Sequence, residues 1–272
     1  EETYDFQIVA SPDEVSPAIA QGTADIAAVP ANLASVLYQK TNGGVQVLTI
    51  NTLGVLYLVE NGDQVQSVSD LKGKTIYASG KGATPEYALN YILKENGLTP
   101  GKDVQIEWKS EHTECVAALT EHEDAAALLP QPFVTTAQSK NDSLRVVLDL
   151  TEEWDKIQKD NGGNSSLVTG VTVVRTEFAR EHPEIVEDFM ERYQESVSYV
   201  NEHTEEAAKL IGDYDIVSEE IAKKALPECN IVYIDGAEMK EKLSGYLEVL
   251  EQENPQAVGG ALPADEFYYD AE

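Results

Sequence analysis

Short apolar runs alternate with segments of helical period along the whole chain. The apolar runs predict buried strands at 6–9, 26–29, 45–50, 55–59, 75–78, 104–108, 125–129, 146–148 and 168–174. Between them, apolar residues recur every three to four positions, and the longest such segment, 183–211, predicts a long helix with one buried face. Alternating strands and helices indicate an α/β protein with mostly parallel sheet.

Two stretches of the chain resemble each other. Residues 18–33 (AIAQGTADIAAVPANL) and 118–133 (ALTEHEDAAALLPQPF) each contain a helix end, an acidic turn, a strand of small residues and a proline. Coincidence between two ordinary helix–strand units is one interpretation. The other is a pair of similar lobes, each with a loop at the carboxyl end of a strand, where open α/β sheets bind ligands.

The net charge of the chain argues against some classes of binding partner. The 272 residues include 49 acidic and 19 basic side chains, for a formal net charge of −30. Such a chain repels nucleic acid and anionic lipid, so we expect no nucleic-acid partner. The two cysteines, Cys115 and Cys229, are too few for a disulfide framework, and two unpaired thiols are favoured over one long-range bridge.

The chain opens at Glu1 without the apolar core of a signal peptide. This start fits both a mature exported chain and a cytosolic protein. No apolar run reaches the roughly 20 residues that span a bilayer.

An ordered set of motifs resembles a known family. Residues 70–76 (DLKGKTI) look like the entry into the second lobe of periplasmic binding proteins, and 80–84 (GKGAT) like the ligand loop that follows. Residues 128–133 (LLPQPF) and the helix after His182 continue the family order. The chain resembles the nitrate, sulfonate, taurine and thiamine-precursor group of ABC-transporter solute-binding proteins.

The resemblance implies a type II periplasmic binding protein fold, with two lobes and a hinge crossed twice. We expect residues 1–72 and 166–272 to form lobe 1, and residues 73–165 to form lobe 2. Family members usually begin with a further strand and helix, which lobe 1 of this sequence does not show. The hinges are expected near 60–73 and 150–168.

The loop after the predicted strand at 75–78 is the first candidate site. Glycines at 80 and 82 permit close approach of a ligand to the backbone, and a helix start favours an anion. Lys81 could add charge, and Ala83 and Thr84 complete the loop. A plain strand–helix turn is the alternative, and the spacing fits neither nucleotide-binding glycine motif.

Other candidates lie where strands are expected to end. Asn32 and Gln131 offer hydrogen-bond donors and acceptors, although Asn32 is equally a helix cap. Phe133, after Pro132, could stack on a planar ligand or belong to the core. The remaining candidates for ligand binding are Ser11, Asn51, Thr52, His112 and Thr169. His112, Cys115 and His122 lack the spacing of a zinc site, so neither a metal nor a cofactor is expected.

The sequence therefore predicts the extracytoplasmic solute-binding component of an ABC importer, in the periplasm or anchored as a lipoprotein. It would act as a monomer, capture a small anionic or planar heterocyclic molecule between two lobes, and deliver it to a membrane permease without chemistry. The alternative is an enzyme on the same scaffold, of the thiamine-pyrimidine or menaquinone-pathway type. A sensory ectodomain also stays open.

Overall fold

The structure, a computed structural model, describes residues 4–9, 12–122 and 124–270, apart from the side chains of residues 12 and 13. The chain divides into two compact units. Unit 1 comprises Glu1–Thr52, Val168–Ser198 and Val232–Glu272, and unit 2 comprises Leu53–Leu167 and Tyr199–Ile231.

The described residues alternate between strands and helices, as the sequence predicts. The strands are β1 (Ile26–Pro30), β2 (Val45–Leu53), β3 (Leu56–Asn61), β4 (Thr75–Ser79), β5 (Gln105–Lys109), β6 (Ala126–Pro130), β7 (Leu144–Asp149), β8 (Val168–Arg175) and β9 (Ile231–Ile234). The helices are α1 (Pro12–Gln21), α2 (Ala31–Lys40), α3 (Thr84–Glu95), α4 (His112–Glu121), α5 (Phe133–Lys140), α6 (Leu150–Asn161), α7 (Thr176–Glu181), α8 (Pro183–Glu202), α9 (Thr204–Asp213), α10 (Glu219–Ala225) and α11 (Gly236–Glu253).

Unit 1 is built on a four-stranded sheet in the order β1-β8-β2-β9. β1 and β8 run antiparallel, with Val29 opposite Val171. Helices cover the sheet because strand and helix residues such as Leu48, Val174 and Val186 share one apolar cluster. β1 lies at an edge of this sheet, and Ala28 on it is exposed despite the apolar sequence of the strand.

Unit 2 is built on a five-stranded sheet in the order β5-β4-β6-β3-β7. β4 runs parallel to both β5 and β6, whereas β3 runs antiparallel to β6 and β7. α4 and α5 pack on one face, where Cys115, Leu119 and Val134 join Tyr57 and Leu129 in the core. Both sheets thus contain antiparallel pairs, which the alternation of elements alone does not reveal.

The repeated sequence pattern corresponds to repeated local structure. Residues 18–33 form the end of α1, β1 and the start of α2, and residues 118–133 form the end of α4, β6 and the start of α5. In both cases the strand ends at the proline, Pro30 or Pro130. One copy lies in each unit.

The boundaries between the units differ from those expected. The chain passes between units at 52–53, 167–168, 198–199 and 231–232, which is four passages instead of two. Residues 53–72 belong to unit 2 because β3 pairs with β6 and β7. Residues 199–231 also belong to unit 2, where Tyr57 donates a hydrogen bond to the carbonyl of Glu228 at 2.8 Å.

Several element predictions were wrong. Residues 6–9 form no strand: Phe6 and Ile8 are 80% and 78% exposed, and no described strand pairs with them. The long predicted helix breaks at His203 into α8 and α9. β9 was not predicted.

Candidate functional site

One edge of the unit-2 sheet gathers three strand ends and three helix starts. β4, β5 and β6 are mutually parallel, so their carboxyl ends meet at the same edge. α3, α4 and α5 follow these strands in turn. Their amino-terminal N–H groups therefore cluster here, together with the positive ends of three helix dipoles. We name this the binding edge.

The loop from Gly80 to Thr84 leaves β4 at the binding edge. Gly80 and Gly82 have φ values of +86° and +79°, a region that side chains disfavour. A hydrogen bond of 3.1 Å from the Ala83 N–H to the Gly80 carbonyl closes the turn, and α3 begins at Thr84. Lys81 is exposed. The glycines are thus required by the turn and bring its backbone to the surface.

The loop backbone already binds a carboxylate. The Gly82 N–H donates a hydrogen bond of 2.6 Å to the Oε2 atom of Glu86 in the first turn of α3. An acid in this position is stabilised by the helix dipole and by the N–H group itself. One N–H donor of the loop is therefore already bonded to the Glu86 carboxylate. An anionic ligand would present the same kind of group.

Three side chains meet beside this loop. Ser79, the buried last residue of β4, has its hydroxyl 2.7 Å from Nδ1 of His112. The His112 ring lies 4.8 Å from the ring of Phe133, measured between centroids. His112 opens α4 and Phe133 opens α5, so both come to the binding edge with their helices. Burial lowers the pKa of His112 below its ordinary value, which favours the neutral imidazole near pH 7.

Gln131 turns back onto its own helix. Its Oε1 atom accepts hydrogen bonds from the hydroxyl of Thr135 at 2.9 Å and from the N–H of Thr135 at 3.3 Å. The side chain also lines a cavity of about 430 Å³ with Tyr57, Gln138 and Lys224. Gln131 thus stabilises the start of α5, and Pro132 is the residue that precedes this helix.

In unit 1, the structure brings Asn51 and Thr52 together with β8. Asn51 donates a hydrogen bond of 3.0 Å to the hydroxyl of Thr172 and accepts one of 2.9 Å from Thr52. A β carbon added at Gly170 would lie 2.6 Å from Oδ1 of Asn51, so a larger residue there would displace the Asn51 side chain. We name Asn51, Thr52, Gly170 and Thr172 the unit-1 polar cluster.

The remaining candidates lie apart from this cluster. Strand alternation places Thr169 on the other face of β8 from Gly170 and Thr172. Its hydroxyl is buried and has no hydrogen-bond partner within the described residues. Asn32 is not a helix cap: its Nδ2 atom donates to the carbonyl of Ala257 at 3.3 Å and ties α2 to the carboxyl-terminal segment. Ser11 lies outside the described residues.

Other conspicuous residues have structural surroundings. Trp154 is fully buried, with its indole N–H donating to Ser165 at 3.1 Å, so it belongs to the unit-2 core. Cys115 and Cys229 are both free thiols, as favoured from the sequence, and burial raises the pKa of Cys115 to about 11. Within the described ranges, His, Cys, Asp and Glu side chains form no group of metal ligands.

Sequence reasoning missed Ser79, Glu86 and Thr172. Ser79 fell between the predicted strand at 75–78 and the candidate loop at 80–84, although a polar residue at the end of a strand is the pattern that open α/β sheets use for ligands. Glu86 lies four residues after Gly82, and an acid in the first turn of a helix is a signal for backbone capping. Nothing in the sequence pairs Thr172 with Asn51, because 121 residues separate them.

Comparison with known proteins identifies one family model that matches the chain and many solved structures with a similar fold. A family model described as "ABC transporter, phosphonate, periplasmic substrate-binding protein" matches residues 2–212. A search of curated proteins found no match. Across the described ranges, no helix is both long and apolar enough to cross a bilayer.

Three solved structures illustrate the similarity of fold. An ABC transporter protein from Parabacteroides distasonis has 24% identity and a TM-score of 0.82, covering 98% of this chain and 88% of that one. The aliphatic sulphonate-binding protein SsuA of Escherichia coli has 16% identity and a TM-score of 0.74, covering 96% and 80%. The alkanesulfonate-binding SsuA of Xanthomonas axonopodis, bound to MOPS, has 15% identity and a TM-score of 0.62, covering 93% and 81%.

Proposed function

The chain belongs to the periplasmic substrate-binding protein family of phosphonate ABC transporters, and on this premise we propose that its ligand is a small organic oxyanion of the phosphonate or sulfonate type. The family gives the chain a solute-binding role, an extracytoplasmic location and a membrane permease as partner. We propose, beyond what the family shows, the class of the ligand, the residues that bind it and the absence of catalysis.

One observation carries the choice of an anion. The Gly82 N–H at the binding edge donates a 2.6 Å hydrogen bond to a carboxylate of the protein itself, that of Glu86. The same edge holds the amino termini of three helices, so its local field favours negative charge in a chain of net charge −30. A ligand oxyanion would replace or share this carboxylate.

The side chains beside the loop fit the organic part of such a ligand. Phe133 is more than one-third exposed, and its ring lies against the imidazole of His112. The Ser79–His112 hydrogen bond fixes the orientation of the imidazole, which leaves Nε2 as its other polar atom. We propose that Phe133 packs against the carbon group of the ligand and that Nε2 of His112 bonds a ligand oxygen.

The experiment is a thermal-shift and calorimetric screen with methylphosphonate, short alkyl sulfonates, taurine, a carboxylate of equal size, and a thiamine-type pyrimidine. A binding-only ligand at 100 times its dissociation constant stabilises the native state by about 2.7 kcal/mol. We expect a phosphonate or sulfonate to raise the midpoint most. If the uncharged pyrimidine raises the midpoint most, the proposal of an anionic ligand is refuted. If the carboxylate raises it most, the ligand is an anion but not a phosphonate or sulfonate.

Mass spectrometry of the same samples tests the absence of catalysis. We propose that the ligand is recovered unchanged after long incubation with the protein. Loss of the ligand with stoichiometric appearance of a product would instead support the enzyme on this scaffold. We also propose that the protein is a monomer in the periplasm or on a lipid anchor, and light scattering of the purified chain measures the oligomeric state.

A further inference from the structure

A surface on unit 2 exposes large apolar side chains beside acidic ones. Leu210, Tyr214 and Ile216 are 48%, 73% and 59% exposed, and they follow one another at the carboxyl end of α9. Monomeric proteins rarely leave large apolar groups clustered in this way without an interaction partner. We name these three residues the outer patch.

The outer patch is not needed to hold α9 in place. The opposite face of α9 carries Ala207, Ala208 and Ile211, which pack with Ala222 of α10 and Leu226 in an apolar cluster. Leu210 lies one turn before Tyr214, whose N–H donates a 3.0 Å hydrogen bond to the Leu210 carbonyl. The two side chains therefore share the solvent face of the helix.

The backbone fixes the position of the third residue. Ile216 donates its N–H to the carbonyl of Ile211, and Asp215 donates to that of Gly212, each at 3.1 Å. This pair of bonds is the Schellman arrangement, which needs a residue of positive φ at the turn. Asp215 adopts a φ of +56°, so a residue other than glycine accepts a disfavoured conformation there. The turn holds Ile216 in solvent and places a carboxylate beside it.

Acidic residues flank the outer patch on both sides along the sequence. Between 202 and 220 the sequence has seven carboxylates, at 202, 205, 206, 213, 215, 219 and 220, against one lysine. Lys209 is paired with Asp213, and Lys223 and Lys224 of α10 are paired with Glu205 and Glu220. The stretch 202–224 still has seven carboxylates against three lysines, an excess of four negative charges. This rim repels a second copy of the chain and anionic lipid, and it attracts a partner with basic residues around an apolar centre.

We propose that the outer patch and its acidic rim are a docking surface for the membrane permease, through a permease segment with apolar residues flanked by Lys or Arg. This proposal rests on the receptor function, because that function supplies the partner. The apolar centre provides contact area, and the acidic rim provides orientation and a fast association.

The test measures binding of the purified protein to its permease–ATPase complex in nanodiscs of neutral lipid. The variants are Leu210→Ser/Tyr214→Ser/Ile216→Ser and Asp215→Asn, which removes charge while keeping a residue that tolerates positive φ. Phe6→Ser/Ile8→Ser is the control, because it removes two exposed apolar side chains of unit 1. Unfolding midpoints and affinity for methylphosphonate or an alkyl sulfonate are measured in parallel.

We expect the triple variant to bind the permease complex at least about tenfold more weakly, with an unchanged midpoint and unchanged anion affinity. Asp215→Asn should lose a few-fold in affinity and show a weaker dependence on salt. The control should bind as the parent protein does.

Three results would overturn the proposal while leaving the receptor function intact. The triple variant could bind the permease as well as the parent, or the outer patch could prove to hold a dimer that the triple variant dissociates. Binding to nanodiscs of anionic lipid without permease would assign the surface to the membrane instead. A parent protein that binds its anion but not the permease complex would contradict the receptor function itself.

Discussion

The candidate polar groups of the two units differ in kind. At the binding edge of unit 2, the donors are backbone N–H groups of a glycine loop and of helix starts, and Gly82 already binds a carboxylate. In unit 1, the polar cluster consists of side chains that bond each other, as Asn51 does with Thr52 and Thr172. Backbone donors at helix starts carry a fixed positive field, whereas mutually bonded side chains do not. We therefore propose that unit 2 recognises the charge of the ligand.

The largest effect is expected from Gly80→Ala. The new β carbon would lie 2.9 Å from Cγ of Pro85 and would also have to adopt a φ of +86°, so the loop must rearrange. Affinity for the anion should fall at least about tenfold, or about 1.4 kcal/mol. Calorimetric titration with the preferred phosphonate or sulfonate measures this.

Gly97→Ala is the matched control at the other end of α3. Its φ of +74° imposes similar backbone strain, but its β carbon meets no neighbour within 4 Å. It should lower stability by about 1 kcal/mol without changing affinity. Equal loss of affinity in both variants would show that strain in α3, and not the loop, explains the effect.

The second prediction compares two threonines of β8. The buried Thr169 hydroxyl has no described partner, so Thr169→Val should leave stability unchanged or slightly raised. If that hydroxyl bonds the ligand, affinity falls about fivefold, equivalent to roughly 1 kcal/mol. Chemical denaturation and calorimetry of the same preparation separate the two quantities.

Thr172→Val should behave in the opposite way. It removes the acceptor of the Asn51 amide in a buried setting, so stability should fall by about 1–3 kcal/mol. If the Thr169→Val variant of the preceding comparison binds the ligand as tightly as the parent protein, Thr169 is not a ligand-binding residue.

The third prediction concerns pH. Burial holds the pKa of His112 below 6.5 in the free protein, and a bound anion would raise it by favouring the imidazolium. Affinity for an alkyl sulfonate, which does not titrate in this range, should therefore rise as pH falls below about 6.5. Calorimetry between pH 5 and 8 should show proton uptake on binding, and His112→Asn should abolish it.

The lowered pKa of His112 also makes the stability of the native state depend on pH. Stability falls as pH falls, whereas anion affinity rises. In the pH range between the lowered pKa and 6.5, the unfolded chain binds a proton that the native state does not. The stability that His112 contributes is therefore complete above pH 6.5 and is lost as pH falls through the lowered pKa. A protein whose anion affinity stays constant from pH 8 to pH 5 would exclude His112 from the site.

The smallest effect is expected from Glu86→Gln. The substitution removes a negative charge from the loop while keeping an oxygen that can accept from Gly82. Anion affinity should rise two- to threefold, because one repulsive charge is lost. A pronounced decrease in affinity would mean that the Glu86 carboxylate holds the loop in its binding conformation.

Much of the architecture followed from local signals. The proline that ends each short strand, Pro30 or Pro130, marked the strand end and the start of the following helix. The glycine loop at 80–84 was placed correctly between β4 and α3 because its turn requires positive φ. The prediction of a strand at 6–9 was wrong, because an apolar run becomes a strand only when another strand pairs with it. Pairing of this kind is not a local property of the sequence.

The site was less predictable than the fold. The glycine loop, His112 and Phe133 share an edge because β4, β5 and β6 are parallel, which the sequence pattern did suggest. The direction of each side chain was not available: Gln131 turns back to Thr135, and Asn32 reaches Ala257, 225 residues away. The Asn32 bond joins residues far apart in the chain, which no spacing encodes, and the local bond of Gln131 competes with any bond to a ligand.

We propose above all that the backbone of the glycine loop binds the anion. Titration of isotopically labelled protein with methylphosphonate and an alkyl sulfonate, followed through the amide resonances of Gly80, Lys81 and Gly82, tests it most directly. We predict saturable shifts of all three resonances, largest for Gly82 as its donor exchanges the Glu86 carboxylate for the ligand. Saturable binding that leaves these three resonances unmoved, or no binding of either anion, would contradict the claim.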